Sequence, residues 1–121
     1  MTPAENFEKK KLIFSFEDQS DEIFDIGVEQ EELGNFAAAE LLYKISSSLI
    51  NVMAMTRLAG IEWKKGSDEN ISKAIEIYKL AGELGDAVSY YNLSVLYGIL
   101  GDEFSKVKYQ KIAKDLGFSD Q

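Results

Sequence analysis

The 121-residue chain contains neither cysteine nor histidine. Their absence removes thiol nucleophiles and imidazole bases, and with them zinc, haem and iron–sulfur sites built on those ligands. Most acid–base enzymes use a histidine or a tuned carboxylate pair, so only the carboxylate route stays open. Among 21 acids, chance carboxylate pairs are expected and single out no glycosidase-type site. No Gly-x-Gly-x-x-Gly, no phosphate-binding glycine loop and no Ser/His pair occurs. The expectation is a protein that is not an enzyme, with no catalytic residue, no metal and no cofactor. Proline occurs once, at Pro3, so proline bars nothing downstream from helix. No run of eighteen apolar residues is present, which argues against a membrane span. Lys9, Lys10 and Lys11 precede an apolar-rich run of only five residues, too short for a secretory leader. With no cysteine for disulfides, the chain reads as cytoplasmic.

Basic residues are also scarce where acids are dense. The net charge is −8. Residues 21–53 hold seven acids against one lysine, a net of −6, whereas residues 54–85 balance at zero. Glu17, Asp18, Asp21, Glu22, Asp25, Glu29, Glu31 and Glu32 fall within sixteen residues that contain no base. Such a surface repels nucleic acid and anionic lipid and attracts cationic partners.

What is present is helix-period patterning broken by glycine. Segments 21–33, 36–49, 52–65, 71–84, 87–100 and 103–116 are predicted helices, and none alternates with period two as a strand would. Glycine follows most of them, as expected where the chain takes a left-handed cap. The helices align in pairs at periods of 32 to 35 residues, within the range of αα-repeats. First helices superpose Ile26, Ala59 and Leu93, then Gly27, Gly60 and Ser94. Second helices superpose Leu42, Ile77 and Tyr109, then Ile45, Leu80 and Ile112, then Ser46, Ala81 and Ala113, and end on Leu49, Leu84 and Leu116. A small residue in each first helix would let its partner approach closely. Stacked pairs would bury the face that one pair leaves open.

The stretch Lys73–Asp102, with Lys73-Ala74, Tyr78, Ala81, Gly85, Ala87, Leu93, Tyr97 and Gly101, resembles the Sel1-like branch of the tetratricopeptide-type repeats. The turn "GSDEN" fits that branch. The first unit, with Gly27, Gly34-Asn35, Ala39 and Tyr43, is closer to the ordinary tetratricopeptide pattern. The resemblance implies an all-α fold of three stacked αα-hairpin repeats in a right-handed superhelix, with units at 21–50, 52–85 and 86–117. An N-terminal extension, 1–20, precedes this single repeat domain at 21–117, and a tail, 118–121, follows. Gln30 stands where later units have Trp63 and Tyr97, and Lys106 where the pattern has Ala39 or Ala74, so the first and last units read as caps. The segment with Leu12, Ile13, Phe14 and Phe16 either packs as an N-terminal helix or lies extended across the first pair.

Two binding surfaces are candidates. The acid run is either a solvated helix face or a docking surface for a basic protein; eight like charges exceed what helix capping favours. The sequence "DQSDE" lacks the central glycine and spaced ligands of a calcium loop. The second candidate comes from the resemblance, which places Phe24, Arg57, Lys64 and Tyr91 in a concave groove, with Val28, Ile61 and Val95. Tyr90 and Tyr91 diverge by about 100° on a helix, so one of them would be exposed, and an exposed tyrosine would be an anchor there. Size, charge and repeat character are similar to those of small acidic immunity proteins of bacterial contact-dependent or polymorphic toxin systems. The expected activity is therefore protein binding, most simply as an antitoxin covering a basic, nuclease-type toxin. The alternative is an adaptor or co-chaperone that takes a peptide in its groove.

Overall fold

From Ala4 to Ile26 the chain has neither glycine nor proline, so nothing interrupts a helix once Pro3 has started it. Proline suits the first helical position, where its missing N–H has no partner to lose. The computed structural model describes the backbone of residues 3–119 and the side chains of residues 18–119. It begins with a single helix, α1, Pro3–Glu32. The expected break before Asp21 is absent, and the extension is helical in continuity with the acidic segment. Five helices follow: α2, Phe36–Ser48; α3, Val52–Lys65; α4, Asp68–Glu83; α5, Ala87–Ile99; and α6, Glu103–Asp115. The protein is all-α, with no strand among the described residues.

Helix ends follow the cap chemistry of the sequence. Ser67 accepts the backbone N–H of Asn70, and Asp68 and Glu69 occupy the first turn of α4. "SDEN" is therefore the start of α4 and not part of a longer turn. Asp102 caps α6 by accepting the backbone N–H of Ser105 at 3.0 Å and its hydroxyl at 2.7 Å. These two bonds stabilise the ionised carboxylate and lower its pKa. Leu84, Leu100 and Leu116 close α4, α5 and α6, and the next residue in each case is a glycine at positive φ (101°, 82° and 99°). α2 ends differently. Leu49 is followed by Ile50 at φ 65°, the one non-glycine at positive φ among the described residues. A β-branched residue there carries strain that glycine would not.

The chain forms two compact units, Met1–Met55 and Thr56–Gln121, with the boundary inside α3. In the N-terminal unit α1 packs on α2. Phe24, Ala39 and Tyr43 are buried, and the Phe24 and Tyr43 rings lie 5.8 Å apart. Gly27 makes the close approach possible, since a Cβ there would lie 2.8 Å from Tyr43 Cε1. In the C-terminal unit Ala59, Ala74, Tyr78, Leu93 and Leu96 form the core, with Trp63 edge-on to Tyr78 at 6.4 Å. Glu62 is buried but engaged: Asn70 Nδ2 donates to it at 2.6 Å and Lys65 lies 3.7 Å away.

Equivalent positions in the sequence alignment share burial in part. Ala39 and Ala74, Tyr43 and Tyr78, and Ser46, Ala81 and Ala113 are all inside. Ile26, aligned with the buried Ala59 and Leu93, is instead 42% exposed. It lies two residues from Phe24, about 200° around the helix, and so points away from α2. Ile45, Leu80, Leu84 and Leu116 are also exposed rather than packed.

Candidate functional site

α1 divides lengthwise into two faces. Ser20, Phe24, Gly27 and Glu31 recur at steps of four, three and four and lie towards α2. Three polar contacts fix this side. Ser46 Oγ donates to the carbonyl of Ser20 at 2.7 Å, Tyr43 Oη donates to Glu31 Oε2 at 3.0 Å, and Asn51 Nδ2 donates to Asp21 Oδ1 at 3.0 Å. Asn51 Oδ1 in turn accepts the N–H of Ala54. Buried polar atoms are thereby satisfied, which a packed hairpin requires.

The opposite face carries Asp18, Glu22, Asp25, Glu29 and Glu32 at steps of four, three, four and three, all exposed. At 1.5 Å per residue these carboxylates form a straight stripe of about 21 Å. Four acids elsewhere pair with a lysine on their own helix: Glu40 with Lys44, Glu62 with Lys65, Glu69 with Lys73 and Glu103 with Lys106, at 3.5 to 3.9 Å. Among the described residues, no cation pairs with any of the five stripe acids. Their mutual repulsion at three- and four-residue spacing costs about 0.2–0.5 kcal/mol per pair. Along one edge the stripe is flanked by Ile26 and Leu33, and Phe36 follows just past the turn; Leu33 and Phe36 are 66% and 68% exposed.

The eight acids singled out in the sequence therefore separate by role. Five make the stripe, whereas Asp21 and Glu31 are tied into the α1–α2 packing. Glu17 lies outside the described side chains. The flanking Ile26, Leu33 and Phe36 were missed; the seven-residue step from Ile26 to Leu33 was the available signal. Beside Asp21 lies an open depression of about 470 Å³, bordered by Ser20, Asp21 and residues Leu49 to Met53, with Ile50 and Met53 exposed on its rim.

The groove residues fare differently. Phe24 is a core residue, 7% exposed and packed on Tyr43, because the hairpin needs a large apolar group beside Gly27. It is not available to a ligand. Arg57 and Lys64 are exposed on α3. Tyr91 is half-buried and stacks on Phe118 at 4.2 Å, so it is not the free anchor expected. The neighbouring Tyr90 joins a second aromatic group in which Tyr109 stacks with both Tyr90 and Tyr97, at 5.9 and 5.6 Å. Lys79 lies over the Tyr97 and Tyr109 rings, and its hydrogen bond to Tyr97 raises its pKa. Burial, helped by the charge of Glu83, raises that of Tyr90.

Among the described residues no cluster of three or more acidic side chains is arranged to hold a metal ion. No described helix is long and apolar enough to cross a membrane. No protein-family model matches the chain, and no curated protein matches it.

Proposed function

We propose that the protein is a non-catalytic binding module whose acidic α1 stripe engages a basic protein, in the manner of an immunity protein or antitoxin that covers a cationic toxin. One observation carries this reading. Asp18, Glu22, Asp25, Glu29 and Glu32 are aligned, exposed and without a cation partner among the described residues, while Glu40, Glu62, Glu69 and Glu103 each pair with a lysine on their own helix. A one-signed stripe of this kind lowers stability and raises the association rate with a cation-rich surface. Toxins that act on nucleic acid are themselves basic, because their substrate is polyanionic. The underlying scaffold is proposed to be three αα-hairpin repeats of the Sel1-like or tetratricopeptide type. The recurrent burial of Ala39 and Ala74, of Tyr43 and Tyr78, and of Ser46, Ala81 and Ala113 supports that arrangement.

The test is capture of a partner with three baits: wild type, the fivefold stripe reversal to lysine, and Tyr91→Ala. The expected partner is a single basic protein held by wild type and by Tyr91→Ala, released by salt, and lost on stripe reversal. Co-expression with that partner should restore growth that the partner alone arrests. A partner retained by the reversed stripe and lost on Tyr91→Ala would instead favour an adaptor that binds peptides through its groove.

A further inference from the structure

α6 carries an outward face that is both apolar and basic. α6 buries Ala113 on one side and, on the other, exposes Phe104 by 81% and Val107 by 60%. Lys108, Lys111 and Lys114 are exposed on that same outward side. Phe104, Val107, Lys111 and Lys114 follow one another at steps of three, four and three, so they form a single strip with lysines at its C-terminal half. Glu103 is engaged by Lys106, and Asp115 is the one other acid on the helix.

α1 presents the complement. Glu22, Asp25, Glu29 and Glu32 also advance by three, four and three, with Ile26 and Leu33 alongside and Phe36 beyond the turn. Helices with stripes of this spacing lie side by side with their axes 8–10 Å apart. We propose that the outward face of α6 in one copy docks on the α1 stripe of a second copy. Lys108, Lys111 and Lys114 meet the acids, and Phe104 and Val107 meet the Ile26–Leu33–Phe36 edge. The two faces differ, so a pair joined by one such contact keeps one free stripe and one free α6. The contact joins unlike faces, so copies either add in series or close into a ring, and both raise the mass above that of one chain. The net charge of −8 opposes any approach of two copies. At physiological ionic strength the Debye length of about 8 Å screens that repulsion, while contacting charges still attract. The inference concerns the same stripe as the proposed function but does not rest on the identity of any basic partner.

Sedimentation velocity on the full chain at rising concentration is the test. Wild type should rise from the mass of one chain to roughly twice that or beyond. Two reversed variants, Lys108→Glu/Lys111→Glu/Lys114→Glu and Asp25→Lys/Glu29→Lys/Glu32→Lys, should each stay at the mass of one chain. Mixed together they should associate again, because every junction then pairs opposite charges. Phe104→Ser, a change at a side chain that makes almost no contact within its own chain, should also abolish association, and circular dichroism verifies that each variant is folded. Wild type at single-chain mass throughout, association surviving in both reversed variants, or a mixture that stays monomeric would overturn the proposal. Capture of a basic partner by the α6 variant, with self-association lost, separates this inference from the proposed function.

Discussion

In the N-terminal unit, Tyr43 is fully buried and hydrogen-bonds Glu31, Ser46 reaches the Ser20 carbonyl, and Asn51 holds Asp21. In the C-terminal unit, Tyr109 lies between Tyr90 and Tyr97, and lysine ammonium groups sit over the rings. The α1–α2 pair is fastened by polar ties around the Phe24–Tyr43 contact, whereas stacked aromatic rings join α5 and α6. The difference follows the charge. A helix that carries five unneutralised acids outward must be held from its inner side by contacts with fixed geometry. The lysine-rich α6 is instead compatible with rings, whose faces attract cations.

Tyr43→Ala should produce the largest effect on this contrast, a loss of about 3–5 kcal/mol, because it removes a buried ring together with the tie to Glu31. Urea unfolding measures it, and Tyr43→Phe, which keeps the ring, should recover most of the loss. Tyr109→Ala should cost less, about 1–3 kcal/mol, since two ring pairs at about 0.5–1.5 kcal/mol each are lost from a half-buried site. If Tyr109→Phe costs as much as Tyr109→Ala, stacking is not what fastens the C-terminal unit. Replacing Asp18, Glu22, Asp25, Glu29 and Glu32 with glutamine should raise stability by about 1–2 kcal/mol, through four relieved like-charge neighbours. A fall in the thermal midpoint would mean that the stripe is stabilising and carries no cost to the fold. The smallest change is Ile50→Gly, expected to gain about 1 kcal/mol by releasing the left-handed strain of a β-branched residue. No gain in the denaturation midpoint would indicate that the exposed isoleucine makes up the difference.

The helix pattern was readable in the sequence because its stops are chemical. Gly34, Gly66, Gly85, Gly101 and Gly117 all take positive φ, and α2, α3, α5 and α6 begin and end within a residue of the expected positions. The continuity of α1 before Asp21 was not read from the sequence, since residues 4–26 hold no glycine or proline to mark where a helix begins or breaks. α4 begins three residues before the expected Ile71, because "SDEN" reads both as a turn and as a capped first turn. The acid run was visible as a charge excess, but its division was not. Whether Asp21 and Glu31 are surface or structure depends on which face of α1 meets α2, and that depends on Gly27 admitting Tyr43. Phe24 was drawn to the groove by family resemblance, whereas the need to fill the space beside Gly27 puts it inside. Ile26 shows the same limit: a step of two residues rotates a helical position by about 200°, enough to exchange core for surface.

The edge-on contact between Trp63 and Tyr78 has an optical consequence. Trp63 is the single tryptophan of the chain and belongs to the C-terminal unit. Its fluorescence therefore reports the melting of that unit alone, while far-ultraviolet circular dichroism follows all six helices. Coincident curves would mean that both units unfold as one cooperative body. An ellipticity change that precedes the emission shift would mean that the acid-bearing unit opens first, with the protein's own indole as an internal clock.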